Sequence, residues 1–524
     1  MRHLESMAVA LAALALYLLF APPVSGLGDS SEIALVLATN GVAHPTGYPL
    51  YTLLGHCFVA LLHMLGISWA FAANAWSAVG GAVAVGFLHA LGMDLVGATS
   101  GTRGAARFVL ALLAVVPFAL QPVMMDAATT AEINVWSVAW ASCAAFVFVR
   151  LVGTISTAGR DRSSSLTRAT ALWGAVCGAG VAHHLTSVLM AGPLSLGLLV
   201  ALRQQRRLSL RLLLVAGGAA LVPLSSYGII AWRAWHPAVV QWGTLGPGLD
   251  KILSHITGSQ YRVLLGSFAP APGNLLGRAI YPLLVPGLAL LLWGALRSKG
   301  REERIVGWSL FSAAILVAGF TFRYGVPDPE PYFLPPIALG AAAAAPALAA
   351  LAGARFMNRA LRAAGLVVAL AATVAIAIPW CREAAGVKRE VVDYETLVRS
   401  MWATIPSDSA IVFWRDDRAV RLRGYQLLDG EKPALYVVSP DALFADEGRR
   451  RFEARFGVDP LRGIEVPRLK PNDPGAEEIG ARIVGRLIEN VNAGTRLPVI
   501  VFDPEVPIVR RLYKPWERTS SHGG

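Results

Sequence analysis

Residues 28–41 read Gly28-Asp29-Ser30-Ser31-Glu32-Ile33-Ala34-Leu35-Val36-Leu37-Ala38-Thr39-Asn40-Gly41, and residues 44–49 read His44-Pro45-Thr46-Gly47-Tyr48-Pro49. Asp29 is a good N-cap and Glu32 stands at N3, the spacing of a capping box. Asn40-Gly41 is a helix stop. The stretch predicts a helix of about ten residues, half of the roughly 20 that span a bilayer. Two prolines and a glycine then fix a turn. A second helix is predicted from about Leu50 to Leu65, where Thr52, His56 and His63 share about 40° of arc and the rest is apolar. Such a helix lies in a membrane interface. The whole loop, residues 27–68, contains no Lys or Arg.

Outward from this loop the chain is apolar. Of 524 residues, 55% are hydrophobic and 15% charged, against about 25% charged in an ordinary soluble chain. This excludes a disordered, fibrous or coiled-coil protein. Eleven apolar segments are predicted, at about 7–26, 69–92, 107–122, 131–150, 169–182, 184–202, 212–232, 279–296, 305–322, 333–353 and 363–380. The first also fits a signal peptide. The fifth and sixth share the 34 residues from Ala169 to Leu202, which implies thinned membrane or partial re-entry. Four Cys at positions 57, 143, 177 and 381 fit neither a disulfide scaffold nor a zinc pattern.

Net charge is +12, but residues 381–524 hold 23 Lys/Arg against 22 Asp/Glu, so the excess lies in the loops of residues 1–380. Alternate loops, counted from the N-terminus, carry 18 basic residues and the other set five. That asymmetry puts the N-terminus in the cytoplasm and residues 381–524 outside, and argues against nucleic acid as a partner. The expected organisation is an all-α polytopic membrane domain over residues 1–380, followed by a small α/β extramembrane domain over 381–524 with a disordered tail. Strands are predicted at 410–414, 434–438 and 497–502, and helices at 384–403, 417–428, 442–456 and 475–492. Asp416 and Asp503 follow two of the strands, where turn or capping roles are expected. No Asn-x-Ser/Thr sequon and no endoplasmic-reticulum retention signal occur, which suits a bacterial plasma membrane, with the endoplasmic reticulum as the alternative.

Seven of the ten His lie in or beside the outward loops: His44, His56, His63, His183, His184, His236 and His255. So do Asp29, Glu32, Asp126, Glu132, Asp250, Asp328 and Glu330. A transporter concentrates its ionisable groups near the midplane; here they gather at one face. Adjacent His183 and His184 point about 100° apart on a helix, which is awkward for one metal ion, so no metal site is expected.

Several stretches together resemble a family of polytopic proteins whose eukaryotic members are transmembrane protein O-mannosyltransferases, a branch of the GT-C glycosyltransferases. These are Asp29-Ser30-Ser31-Glu32 with Val42-Ala43-His44-Pro45-Thr46-Gly47-Tyr48-Pro49-Leu50-Tyr51; Thr130-Ala131-Glu132-Ile133-Asn134, where Asn134 departs from the usual Tyr; Val181-Ala182-His183-His184-Leu185-Thr186; Gln241-Trp242-Gly243 with His255-Ile256-Thr257 and Gln260-Tyr261-Arg262; and Tyr324, Asp328 and Tyr332-Phe333-Leu334-Pro335. The similarity covers most of residues 1–340. It implies a transferase using a polyprenyl-phosphate-linked sugar, possibly mannose, with an acidic residue of the first outer loop as base toward a protein or glycan hydroxyl.

Glycosyl transfer needs a base for the acceptor proton and stabilisation of the leaving phosphate. Asp29 is the expected base, with Glu32 sharing or orienting. His44, His255 and Arg262 are candidates for the phosphate or sugar, Arg as a bidentate donor. Tyr48 offers an apolar face and a hydroxyl. Glu132, His183 and His184 are expected to form one polar pocket with the first loop, since exposure to lipid would be costly. The plainer readings are a helix cap for Asp29, interfacial polar residues for the His, and a local Glu–His pair. The competing functional reading is a non-enzymatic transporter or assembly protein for lipid-linked sugars.

Overall fold

The structure is a computed structural model that describes the chain except residues 1, 101–103, 158–162, 267–275, 327, 354–358, 415, 468–474, 502–513 and 517–524. Four of the 18 basic loop residues counted above, Arg103, Arg160, Arg162 and Arg355, lie outside the described residues, as do Asp503 and the expected disordered tail, residues 519–524.

The chain runs through α1 (Arg2–Phe20), α2 (Asp29–Thr39), α3 (Pro49–Met64), α4 (Trp69–Ser100), α5 (Ala105–Leu120), α6 (Pro122–Thr129), α7 (Asn134–Thr157) and α8 (Ser163–His183). It continues through α9 (Val188–Gln204), α10 (Leu210–Leu224), α11 (Tyr227–Trp235), α12 (Leu249–Thr257), α13 (Tyr281–Arg297), α14 (Arg301–Phe322), α15 (Leu334–Ala352) and α16 (Arg359–Thr404). Among the described residues, six helices are long and apolar enough to cross a membrane, or eight if the bent pairs α5–α6 and α10–α11 each count once. The chain is a multi-pass membrane protein. The three remaining expected segments are also helical: α1 and α13 are shorter in apolar length, and α8 opens on polar Ser163-Ser164-Ser165.

Two features of the sequence reading change. The fifth and sixth segments are not cramped, because α8 has 21 residues and α9 runs from a 3-10 turn at Leu185–Ser187 to Gln204. The polar and basic ends were left out of the apolar count. Secondly, no break falls at 380/381. α16 is one helix of 46 residues with Pro379 inside it. Proline removes a single ladder bond, and no glycine or capping residue stops the helix beyond it.

Close packing follows small residues. Gly174 and Gly178 on α8 face Ala216 and Ala220 on α10, and an added Cβ would lie 2.0 Å and 2.3 Å from those backbone carbonyls. Spacing of small residues at i, i+4 brings helices together without a hydrophobic drive in lipid. Two polar ends bond backbone carbonyls inside the bundle: the buried Tyr17 hydroxyl donates to the Ala119 carbonyl at 3.0 Å, and the half-buried Trp136 Nε1 to the Trp76 carbonyl at 3.0 Å.

Beyond α16 the chain builds β1 (Ile411–Phe413), α17 (Asp416–Leu428), β2 (Tyr436–Val438), α18 (Asp446–Phe456), α19 (Ala476–Gly494), β3 (Val499–Val501) and β4 (Lys514–Trp516). The sheet order is β2-β1-β3-β4, parallel except for β4, which the sequence reading did not foresee. Alternate residues face opposite sides. Val412, Val437 and Ile500 pack with Val398, Met401 and Leu422 of α16 and α17, while Ile411, Phe413 and Val499 pack with Phe452 and Leu487 of α18 and α19.

Four parts of the chain meet at one end of the helix bundle. Val42 bridges Gln241, Leu265 bridges Tyr324, and α17 packs on α2. This loop end carries nearly every candidate site residue.

Candidate active site

The first loop forms as two short helices and a tight turn. α2 has 11 residues and ends on Asn40 in the left-handed region at φ 50°. α3 starts at Pro49, and Tyr48 before it is also left-handed at φ 45°. The first part of the polar stripe of α3 turns inward, while His63 is exposed: Thr52 is buried and bonds the Tyr48 carbonyl, and His56 Nδ1 lies 2.7 Å from the Leu37 carbonyl on α2. His63 stacks on Trp69 with centroids 3.8 Å apart.

The capping box does not form. The N-cap is Gly28 at φ 58°, no side chain caps the helix, and Asp29 is the first helical residue. A left-handed entry favours glycine there and moves Asp29 past the capping position. Glu32 is engaged elsewhere. Its Oε1 accepts from the His44 backbone N–H at 2.7 Å, and its Oε2 lies 3.2 Å from His44 Nδ1. His44 Nε2 in turn lies 3.0 Å from the Tyr48 hydroxyl. Asp29 is exposed, and its carboxylate has no hydrogen bond or ion pair among the described residues. Two acidic residues one turn apart therefore differ: Glu32 is bonded into the turn and Asp29 is left open.

Electrostatics sharpen the difference. Desolvation raises the Asp29 carboxyl above the usual carboxylate range; the His44 charge lowers it, and Glu32 and Asp328 raise it again. Burial alone would depress the His44 imidazole. The charge and hydrogen bond of Glu32, then Asp29 and Glu132, outweigh that and lift it to about 9. His44 is thus a cation at neutral pH beside an open carboxylate. One donor atom each of Asp29, Glu32 and His44 lies within 4.8 Å of the others, so this trio is the described set able to hold a metal ion.

Aromatic rings extend the site. Tyr48 and His184 centroids are 5.4 Å apart, His184 and Tyr332 6.0 Å, and Tyr332 and Tyr324 5.6 Å. Trp242 stands 6.0 Å from His44. The Tyr261 hydroxyl, raised chiefly by desolvation, also feels the charges of Glu32 and Asp29. Tyr261, Tyr324 and Tyr332 belong to stretches that carry the family resemblance, but nothing local in the sequence assigns them a role. Their signal was position alone, since they come from loops far apart in the chain.

The expected Glu132–His183–His184 cluster is only partly assembled. Glu132 Oε1 accepts from the Asn134 backbone and side-chain nitrogens, both at 3.0 Å. Asn134, the departure from the family pattern, is thus the partner of Glu132. Burial, opposed by the Asn134 bond, lifts that carboxyl to about 7. His183 Nε2 lies 3.1 Å from Ser137 Oγ, and His184 Nδ1 2.7 Å from Thr186 Oγ1. Glu132 pairs with neither His183 nor His184 among the described residues; the two rings meet the first loop through Tyr51 and Tyr48. A cavity of about 30 Å³ bounded by Asn134, Ser137, His183, Thr321 and Tyr332 has room for about one water, not for a sugar.

His255 lies behind the turn rather than in the open cleft. It is 1% exposed, its Nδ1 is 3.4 Å from Thr244 Oγ1, and its Nε2 would stand 3.1 Å from a Cβ on Gly47. Burial, then the His44 charge, lowers its pKa to about 4, so it is neutral. Arg262 is exposed on the 3-10 turn Ser259–Leu264, beside Tyr261.

Residues 29–208 match the family described as Protein O-mannosyl-transferase TMEM260 N-terminal domain. A segment of 68 residues is 40% identical to Protein O-mannosyl-transferase tmem260 of Dictyostelium discoideum, covering 13% of this chain and 8% of that protein. Among solved structures, ArnT from Cupriavidus metallidurans bound to undecaprenyl phosphate superposes with a TM-score of 0.51 at 15% identity, over 79% of this chain and 84% of that one. The oligosaccharyltransferase of Archaeoglobus fulgidus gives 0.48 at 14% identity over 94% and 68%. The ArnT likeness shows a shared fold. The family match begins at Asp29 and includes every candidate up to His184; His255 and Arg262 lie beyond it.

Proposed function

We propose that this chain is a membrane glycosyltransferase that moves a sugar from a polyprenyl-phosphate donor to a hydroxyl acceptor. Mannose on a protein serine or threonine is the leading pair of sugar and acceptor, in keeping with the name of the matched family. The observation that carries the reading is the open Asp29 carboxylate beside the bonded Glu32–His44–Tyr48 chain.

In this reading Asp29 takes the proton of the acceptor hydroxyl. The acceptor oxygen bonds the anomeric carbon as the bond from that carbon to the phosphate oxygen breaks, and the electron pair leaves on the polyprenyl phosphate. Protonated His44, held charged by Glu32, offers positive charge toward that phosphate. Exposed Arg262 provides a second, bidentate donor. Tyr48, Tyr332 and Trp242 supply ring faces and hydroxyls for the sugar. Glu132, His183 and His184 line the same end and orient the rings. His255 acts from behind by supporting the turn. A divalent cation held by Asp29, Glu32 and His44 would require His44 to give up its proton, so it would replace the imidazolium charge rather than add to it.

The proposal extends to topology: eleven crossings, the N-terminus in the cytoplasm, and residues 381–524 as an α/β domain on the far side of a bacterial plasma membrane. The test uses the full chain in lipid nanodiscs with polyprenyl-phosphate mannose and a serine- and threonine-containing peptide. Mannosylated peptide and free polyprenyl phosphate are expected. Donor that stays intact in nanodiscs but crosses the bilayer of reconstituted vesicles would replace this reading with a transporter.

A further inference from the structure

α2 begins without a side-chain cap, yet its first residue is the open carboxylate of the site. Something other than local sequence must fix where Asp29 stands. The segment just before it, Ser25–Gly28, is gripped from 395 residues away in sequence. The Arg421 guanidinium on α17 donates to the Ser25 carbonyl at 3.1 Å and to the Gly26 carbonyl. Arg421 is 4% exposed. Its fork is aimed by Glu395 at 2.7 Å and by Asp417 at 3.1 Å, and it lies over the Tyr394 ring at 5.0 Å. Two carboxylates balance the buried charge, and the planar fork keeps donors for the two carbonyls.

The grip continues into the site. The Gly26 N–H donates to Ser30 Oγ at 3.0 Å. A Cβ on Gly26 would stand 2.6 Å from Ser30 Oγ and 2.7 Å from Thr130 Cβ, two residues before Glu132. The Ser31 hydroxyl donates to the Gly28 carbonyl at 3.2 Å and lies 3.4 Å from the Asp417 carbonyl. Arg421, Gly26, Ser30 and Thr130 form one contiguous stack, with Asp29 at its edge.

We propose that Arg421 is a positioning residue for Asp29: it makes the C-terminal region part of the catalytic machinery by setting the entry of α2. The proposal rests on Asp29 being the base. A misplacement of about 1 Å, caused far from the chemistry, is enough to lower a rate by about 10²-fold. Arg421 touches no reacting atom in this account, so its loss should act on turnover and leave donor binding, made by the rings and cations of the cleft, largely intact.

The experiment compares the full-length wild type with Arg421→Gln, Arg421→Lys, Gly26→Ala and, as a control, Arg449→Gln on α18. Each is assayed in nanodiscs with polyprenyl-phosphate mannose and peptide for kcat, donor KM and melting temperature. Arg421→Gln is expected to lose about 10²-fold in kcat with donor KM within about threefold of wild type. Arg421→Lys, which keeps the charge but not the fork, should fall between. Gly26→Ala should reproduce the kcat loss without altering the C-terminal region, and it decides the matter if Arg421→Gln does not fold. Arg449→Gln should turn over like wild type. A folded Arg421→Gln or Gly26→Ala with kcat within about threefold of wild type overturns the proposal, as does a drop in melting temperature alone with kcat per folded molecule unchanged. A wild-type chain that transfers no sugar defeats the functional reading instead, a result distinguishable from unaffected variants of an active chain.

Discussion

The two ends of the helix bundle treat their acidic residues in opposite ways. Asp94 lies 25 residues along α4 from Trp69, roughly 37 Å at the helical rise. There it is held between Arg107 at 3.1 Å and Arg150 at 2.5 Å, with the Arg107 guanidinium packed against Gly97. At the loop end Asp29 has no such partner among the described residues, and the buried Thr46 Oγ1 and His255 Nε2 are also unpaired. A buried polar group without a partner carries a desolvation penalty, so proteins retain few of them. The Asp94 cluster, in which the carboxylate is paired twice, does structural work. In the proposed function the open Asp29 carboxylate is where a polar ligand completes the bonding.

Four substitutions can break or sharpen that contrast. The largest effect is expected from Asp29→Asn: at least about 10²-fold lower turnover with an unchanged melting temperature, because no cap bond is lost. Asp94→Ala should do the reverse. It leaves buried Arg107 without its carboxylate and should destabilise by about 2 kcal/mol, toned down because Arg150 is half-exposed, with kcat per folded molecule unchanged. Thermal melts and turnover measured on both variants would reveal any exchange of these roles.

Glu32→Gln is expected to have an intermediate effect. Glu32 is the largest influence raising His44, which stays charged up to about 9. Stability from this raised histidine is present below its ordinary value of 6.5 and is lost as pH rises through about 9. The variant should move the alkaline limb of turnover down toward that ordinary value, giving about tenfold less turnover near pH 8. An alkaline limb in the wild-type position would detach Glu32 from His44. The smallest effect is expected for Glu132→Gln, since glutamine still accepts the Asn134 bonds. Glu132 is raised from 4.5 to about 7, so its ionisation opposes folding as pH climbs through that window. Above it the variant should melt about 2–4 °C higher than wild type, and at acid pH the two should coincide. A pH-independent separation would place the carboxyl elsewhere.

What the sequence made legible was local. Prolines at 45 and 49, Asn40-Gly41 and the apolar run after Glu32 were enough to place α2, the turn and α3, because each acts over a few residues. Strands β1 to β3 followed from short β-branched runs. The partner of Glu32 was not legible: His44 lies 12 residues on, beyond any helical spacing. Nor was Gly28 as N-cap, because the capping-box pattern scored Asp29 and the left-handed glycine is a backbone property. Arg421 was one Arg among many in a nearly neutral region, and only the packing of α17 on α2 singles it out. In the pocket expected from Glu132, His183 and His184, Glu132 and His184 bond near neighbours, Asn134 and Thr186, while His183 meets Ser137, 46 residues away, which no local pattern reveals.

The most direct test of Asp29 as base is the pH dependence of single-turnover sugar transfer from pre-bound polyprenyl-phosphate mannose, in wild type and in Asp29→Asn. Desolvation raises this carboxyl, so the wild-type rate should climb with pH along an acid limb above the usual carboxylate range. The residual transfer of the variant should be slower by at least about 10²-fold and should lack that limb, with donor bound equally well. A variant that transfers at the wild-type rate, or keeps the same acid limb, would contradict the assignment.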